Sequence, residues 1–265
     1  MFINATHIEG LVIRATDGEL GSVNKIYFDD ETWAIRYLVV DTGSWLTGRH
    51  VLISPISVVN ADWQAKRLDV ALTKRQVENS PNINTHLPIS RQYETEYSGY
   101  YGYTNYWGGP YLWGPAFYPA TLRLPGSASS EAVAHRIRES SDSHLRDTGA
   151  VKGYDIEATD GEIGHVGGYL VDDQAWSIRY IEVGTRNWWP GKQVLISPAW
   201  IERVSWTESR VYVGLTREAI KSAPEYVDST PITREYEDQL HLHYGRPSYW
   251  QRESEQTSAY ALSHF

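Results

Sequence analysis

Cysteine is absent from this chain, and methionine occurs once and phenylalanine four times in 265 residues. Without cysteine there is no disulfide, no thiolate nucleophile and no sulfur-held metal or cluster. Long apolar runs are missing too: no stretch approaches the roughly 20 residues that a membrane-crossing helix requires. The first residues, Met1–His7, lack the charged start and apolar run of a signal peptide. A soluble, cytoplasmic protein is therefore expected. Basic residues are outnumbered, with Lys and Arg at 24 against Asp and Glu at 33, a net charge of −9. That is opposite to the footprint a phosphate backbone demands, so no nucleic-acid partner is expected. Neither a Gly-x-Gly-x-x-Gly nor a Gly-Lys-Ser/Thr phosphate loop occurs, and no Gly-x-Ser-x-Gly nucleophile elbow.

What the chain has in quantity is Trp, 11, and Tyr, 19. Its apolar bulk comes from rings with a polar handle, which suit small cores and contact patches.

The chain also repeats itself. Ala15-Thr16-Asp17-Gly18-Glu19-Leu20-Gly21 returns with one conservative change as Ala158-Thr159-Asp160-Gly161-Glu162-Ile163-Gly164. A shift of roughly 143 residues aligns Gly10–Trp107 with Gly153–Trp250 without a gap, about two positions in five being identical. The matches include Asp29-Asp30 with Asp172-Asp173, and Ile35-Arg36-Tyr37 with Ile178-Arg179-Tyr180. Val51–Pro55 matches Val194–Pro198, and Trp33, Trp45 and Trp63 match Trp176, Trp188 and Trp206. The unit is about one small domain long, so a two-domain tandem is expected rather than a solenoid.

Within a copy the pattern is one of short strands and frequent turns. Asp17-Gly18 reads as a tight hairpin turn with its acids in water, and the alternative is a paired-carboxylate site. Asp29-Asp30 and Asp172-Asp173 read as turn acids or, alternatively, a weak cation site. Six strands without a long helical period predict a small closed or nearly closed barrel. Thr73-x-x-Gln76 has the spacing of a capping box, and Arg-x-Tyr-Glu after Pro88-Ile89 and Pro231-Ile232 marks a further short helix in each copy. Residues 1–107 form the first repeat, 108–143 an aromatic strap with a short helix at Ser129–Ser141, 144–250 the second repeat and 251–265 a loose tail.

With these motifs in hand, each copy resembles the PRC-barrel family, named for the cytoplasmic domain of the photosynthetic reaction-centre H subunit and also found in ribosome-maturation factors. The second copy carries the resemblance most fully, through Asp-Gly-Glu-Ile-Gly, Asp172-Asp173, Trp176-x-Ile178-Arg179-Tyr180, Leu195–Pro198 and Tyr249-Trp250. The fold it implies is all-β, mainly β with short helices, as two tandem PRC-type barrels. The roles it implies are non-enzymatic: docking onto a larger assembly or tuning an electrostatic environment. The chain departs from the reaction-centre subunit in lacking its membrane-spanning helix, and from the ribosome factors in lacking their extra domain and basic character.

No catalytic residue and no cofactor is expected. Trp45, Trp188 and Trp189 lie in loops, where they either cap a barrel end or form a patch for a protein partner. Arg36 and Arg179 are read as pointing outward to acids, Asp30 and Asp173 by proximity, or as partner-binding residues. His241 and His243 are the candidate metal ligands: on a strand they would share a face, half of a zinc or nickel site, with no third ligand evident nearby. A soluble scaffold or adaptor is the leading function. The alternatives are an accessory factor on photosynthetic or other membrane complexes, and a metal- or small-molecule-binding protein. The duplicated domain also raises a pseudo-twofold pairing of the copies and a homo-oligomer.

Overall fold

The motif that marks the duplication is a turn followed by a bulge. In the computed structural model, which describes residues 1–46, 48–83, 89–123, 144–184 and 192–263 (the last five by backbone only), strand β2 (Val12–Ala15) turns into β3 (Gly18–Asp29) through Thr16-Asp17. Ala15 pairs with Gly18, whose φ of 144° only glycine adopts without strain. Two residues on, the register slips so that Leu20 is extra, and its side chain goes wholly into the core. Gly21 follows at φ 139°, and a Cβ there would collide with the Asp41 carbonyl. The second copy repeats this: β9 (Asp155–Ala158) pairs with β10 (Gly161–Asp172), Ile163 is the buried extra residue, and Gly164 has φ 154°.

Asp17 is exposed, as expected of a turn acid, and it also makes a contact that the sequence did not announce. Its Oδ1 accepts from the backbone N–H of Lys74 at 2.8 Å, at the start of α1 (Lys74–Glu78). Asp160 does the same for Arg217 at 2.7 Å, at the start of α4 (Arg217–Lys221). A carboxylate suits a helix start, where backbone N–H groups lack partners. The capping box of Thr73 and Gln76 forms as read from the sequence.

The chain divides into two compact units, Ile3–Val151 with Val171–Ile178, and Met1–Phe2 with Lys152–Leu170 and Arg179–Phe265. The first is called the N-terminal unit and the second the C-terminal unit. The N-terminal sheet also holds β4 (Ile35–Asp41), β5 (His50–Ile53), β6 (Val58–Asp62) and β7 (Arg67–Val70), in the order β5-β4-β3-β2-β7-β6. The C-terminal sheet adds β11 (Ser177–Gly184), β12 (Val194–Ile196), β13 (Ile201–Ser205) and β14 (Arg210–Val213), in the order β12-β11-β10-β9-β14-β13. The topology is the same in both, including one parallel pair, β2 with β7 and β9 with β14. The fold is mainly β, with two sheets. Among the described residues no pairing joins the ends of either path, so closure into the closed or nearly closed barrel expected is not seen.

The units do not follow the repeat boundaries. Leu145–Asp147 (β8), the start of the second repeat, pairs with β3 through Tyr27, Phe28 and Asp29. Arg146 Nε to Asp30 at 2.7 Å and Lys25 Nζ to Asp147 at 3.3 Å secure it. The corresponding strand of the first repeat, β1 (Phe2–Asn4), pairs with β10, and Phe2 packs on Tyr180 with ring centroids 5.6 Å apart. Residues 108–123 of the strap belong to the N-terminal unit, and its Trp113 is buried with Nε1 donating to Ala175 O at 2.8 Å. The expected helix at 129–141 lies outside the described residues.

Each copy closes with an 11-residue helix, α2 (Arg91–Tyr101) and α5 (Arg234–Tyr244). Ser90 and Thr233 cap their starts by accepting from the third helical N–H, and Gly102 and Gly245 end them at φ 70° and 60°. A further short α-helix is α3 (Thr148–Val151). The tail expected to be loose is instead helix α6 (Tyr249–Ser263). Ser248 and Gln251 exchange side-chain and backbone bonds at its start, and the segment contains no Gly or Pro to interrupt it.

Candidate functional site

The unusual chemistry of this protein is inside it. In the N-terminal unit Arg36, on β4, is 1% exposed. Its Nη1 donates to Leu112 O at 2.8 Å, and Nη2 to Asp29 Oδ2 at 3.3 Å and Thr32 Oγ1 at 3.0 Å. The guanidinium lies 3.7 Å from the centroid of Tyr106 and 4.8 Å from that of Trp113. Beside it is Glu94 of α2, 0% exposed. Its carboxylate accepts from Tyr37 at 3.2 Å and Tyr106 at 2.7 Å, with Arg91 Nη1 at 3.4 Å and His144 Nε2 at 3.2 Å. Arg91 in turn lies 4.2 Å over Trp107.

The C-terminal unit rebuilds the arrangement at the matching positions. Arg179 lies 4.0 Å over Tyr249, Tyr180 donates to Glu237 Oε1 at 2.8 Å, and Arg234 pairs with Glu237 Oε2 at 3.2 Å. Arg234 covers Trp250 at 3.8 Å. Glu237 is 3% exposed. Arg179 also pairs with Glu253 of α6, at 2.7 Å.

Burial, reinforced by the neighbouring carboxylate, raises the pKa of Tyr37, Tyr106 and Tyr180 above the usual phenol value. These phenols stay protonated and serve as donors. A buried carboxylate is tolerated only when paired and hydrogen-bonded, and each of these is. Chemically the cluster ties α2 to β4, and α5 with the start of α6 to β11.

Several expected site residues are placed differently. Arg36 does not point outward to Asp30: it is buried against Asp29, and Asp30 is taken by Arg146. Its depth comes from Leu112, Tyr106 and Trp113, far along the chain. Arg179 pairs with Glu253 at 2.7 Å, and Asp173 accepts from Trp63 Nε1 at 3.3 Å. Trp45 is half-buried, its Nε1 donating to Leu20 O at 2.6 Å and the Lys74 ammonium lying 4.4 Å over its ring. Trp188 and Trp189 lie outside the described residues. His241 and His243 sit on helix α5, where positions two apart face different sides. His241 is buried, whereas His243 is exposed with Nε2 at 2.8 Å from Ala219 O. Among the described residues no group of three His, Cys, Asp or Glu is placed to hold a metal ion.

Sequence reasoning missed Glu94, Arg91, Tyr106 and their counterparts as a site. The available signal was the repeat itself, which keeps Arg, Tyr, Arg, Glu, Tyr and Trp at identical spacing in the two copies.

The family model of the PRC-barrel domain matches residues 1–77. The match contains Arg36 and Tyr37 but ends before α2, so Arg91, Glu94, Tyr106 and Trp107 lie beyond it. Residues 144–250 lie outside the match and are related to the first copy by the internal repeat. A search of curated protein sequences returned no match.

Proposed function

We propose that this chain is a non-enzymatic scaffold or adaptor, built of two PRC-barrel-type modules and working in the cytosol on a protein partner. The observation that carries this reading is the inward-facing cluster, present in both units. Its carboxylates, Glu94 and Glu237, are 0% and 3% exposed and engaged by tyrosine and arginine. Groups so occupied hold a helix on a sheet and leave the outer surface for contact. The net charge of −9 favours a partner with a basic face and disfavours nucleic acid. Trp45 and the loop around Trp188 and Trp189 are the partner-contact candidates. The test is quantitative capture from native lysate by the full chain and by a Trp45→Ala, Trp188→Ala, Trp189→Ala variant whose circular dichroism is unchanged. The expected result is loss of a specific partner; recovery of the same partners at the same level would remove these loops from the interface.

A peripheral role on a membrane complex is the second reading, favoured by the PRC-barrel match over residues 1–77. No helix among the described residues is long and apolar enough to cross a membrane. Under this reading the protein sediments with membranes and is released by a salt wash. A protein found only in the soluble fraction at low salt would argue for the free adaptor.

A further inference from the structure

Leu242 is the most exposed of the large apolar side chains described, at 83%. A lone exposed leucine is ordinary, but the setting of this one is not. It stands on α5 at spacings of four and seven from Asp238 and Glu235, which are also exposed and share its face of the helix. Beyond it α5 ends at Gly245 and turns into α6, and the corner opens a cleft of about 290 Å3. The lining of that cleft includes Asp238, Leu242, Gly245 and Trp250.

Most polar groups at this corner already have partners. Arg234 pairs with Glu237 at 3.2 Å and lies 3.8 Å over Trp250. Arg246, also in the lining, gives Nη2 to Gly214 O at 2.7 Å. The start of α6 is closed by its own residues, with Gln251 Oε1 accepting from Ser248 N and Ser248 Oγ from Gln251 N. Asp238, by contrast, makes no hydrogen bond or ion pair among the described residues. The corner thus offers apolar surface and, one helical turn away, a free carboxylate.

The first copy lacks this combination. Its positions matching Glu235, Asp238 and Leu242 hold Gln92, Thr95 and Gly99, while the tryptophan is kept as Trp107. The helix does not require the leucine and its two acids, since α2 forms with the same length and the same caps without them.

We propose that the α5–α6 corner docks a segment of a protein partner that presents an aliphatic side chain beside a lysine or arginine. The aliphatic side chain lies in the cleft against Leu242 and Trp250. The neighbouring cation pairs with Asp238, and Glu235 adds attraction along the same face. A cationic segment fits because the free charge at the cleft is a carboxylate and the chain carries a net charge of −9. This surface is separate from the Trp45, Trp188 and Trp189 loops; it rests on the adaptor reading and gives that reading a partner chemistry.

The test uses the 15N-labelled full chain and three capped peptides, followed by 1H–15N chemical shifts. The probe is Lys-Lys-Leu-Leu-Lys-Lys, and the controls replace either its leucines by serine or its lysines by glutamate. The probe should shift the Leu242 amide and the Trp250 indole N–H saturably, and each control should bind about tenfold more weakly. Leu242→Ser should weaken the probe about tenfold and Asp238→Asn about fivefold, with circular dichroism unchanged because both side chains are exposed. No saturable shift at these residues, equal binding of either control, or full affinity in either variant would overturn the proposal. Capture of a partner through the Trp45, Trp188 and Trp189 loops does not depend on this corner, so failure here and failure of the adaptor reading are told apart.

Discussion

Arg36 and Arg179 occupy the same place in two copies of one design, and they are closed in by different means. Arg36 is sealed by Asp29 from its own sheet and by Leu112 and Trp113 from the strap, to 1% exposure. Arg179 is closed by Glu253 from the terminal helix, leaving its side chain 10% exposed. The inner frame of tyrosine, glutamate and second arginine is the same in both. The helix is also pinned to the same strand carbonyl from different positions: Tyr97 reaches Leu52 O at 3.2 Å, and Tyr244 reaches Leu195 O at 3.3 Å. The difference shows which part of the arrangement holds the module together. The buried carboxylate and its donors are retained, whereas the later segment that adds contacts to the first arginine is the strap in one copy and the terminal helix in the other.

The sharpest way to break this comparison is to remove the shared carboxylate. Glu94→Ala strands the buried Tyr37 and Tyr106 hydroxyls and the Arg91 charge, and should destabilise the protein by about 3–5 kcal/mol. Glu237→Ala should cost somewhat less, because the charge it strands, Arg234, is 52% exposed and can return to water. Denaturant unfolding followed by tryptophan fluorescence would measure both. Equal losses would mean that burial of the paired arginine does not govern the cost.

A smaller effect separates the two lids. Arg36→Lys keeps the charge but cannot reproduce the fork that serves Leu112, Asp29 and Thr32 together, and should cost about 2 kcal/mol. Arg179→Lys should cost about 1 kcal/mol, since a lysine can still approach Glu253 near the surface. Unfolding midpoints of the two variants give the ratio directly. Smaller again are the caps: Ser90→Ala and Thr233→Ala each remove one side-chain acceptor at a helix start, about 1 kcal/mol apiece. Nearly equal losses are expected, because α2 and α5 start in the same way.

Local chemistry was legible in the sequence. The Asp-Gly turn, the capping box at Thr73 and the starts of α2 and α5 depend on residues within a few positions of each other. The cluster was not, because what buries Arg36 lies about seventy positions away and nothing in Ile-Arg-Tyr announces Tyr106 or Trp113. An arginine between apolar residues reads as surface until its distant acceptors are known. The pairing of Leu145–Asp147 with β3 was illegible for the same reason, since a three-residue strand carries no mark of its partner. The terminal helix was missed because it has only a thin apolar stripe, and its start depends on Ser248 and Gln251 closing on each other across a turn.

The smallest effect isolates the one titratable group that distinguishes the copies at the matching helix position, His241 against Ser98. Burial lowers the pKa of His241 in the folded protein below the ordinary histidine value. Above the unfolded-state pKa, about 6.5, the residue is neutral in both states and contributes nothing to pH dependence. As pH falls through that value the unfolded chain takes up a proton that the folded protein refuses. Stability is therefore lost on acidification, until the folded-state pKa is passed and the slope vanishes. His241→Gln should flatten the dependence of the unfolding midpoint just below pH 6.5, and Ser98→Ala should leave that slope unchanged. A wild-type slope surviving in His241→Gln would assign the titration elsewhere, and the chemical distinction between the copies at this helix position would have no effect on stability.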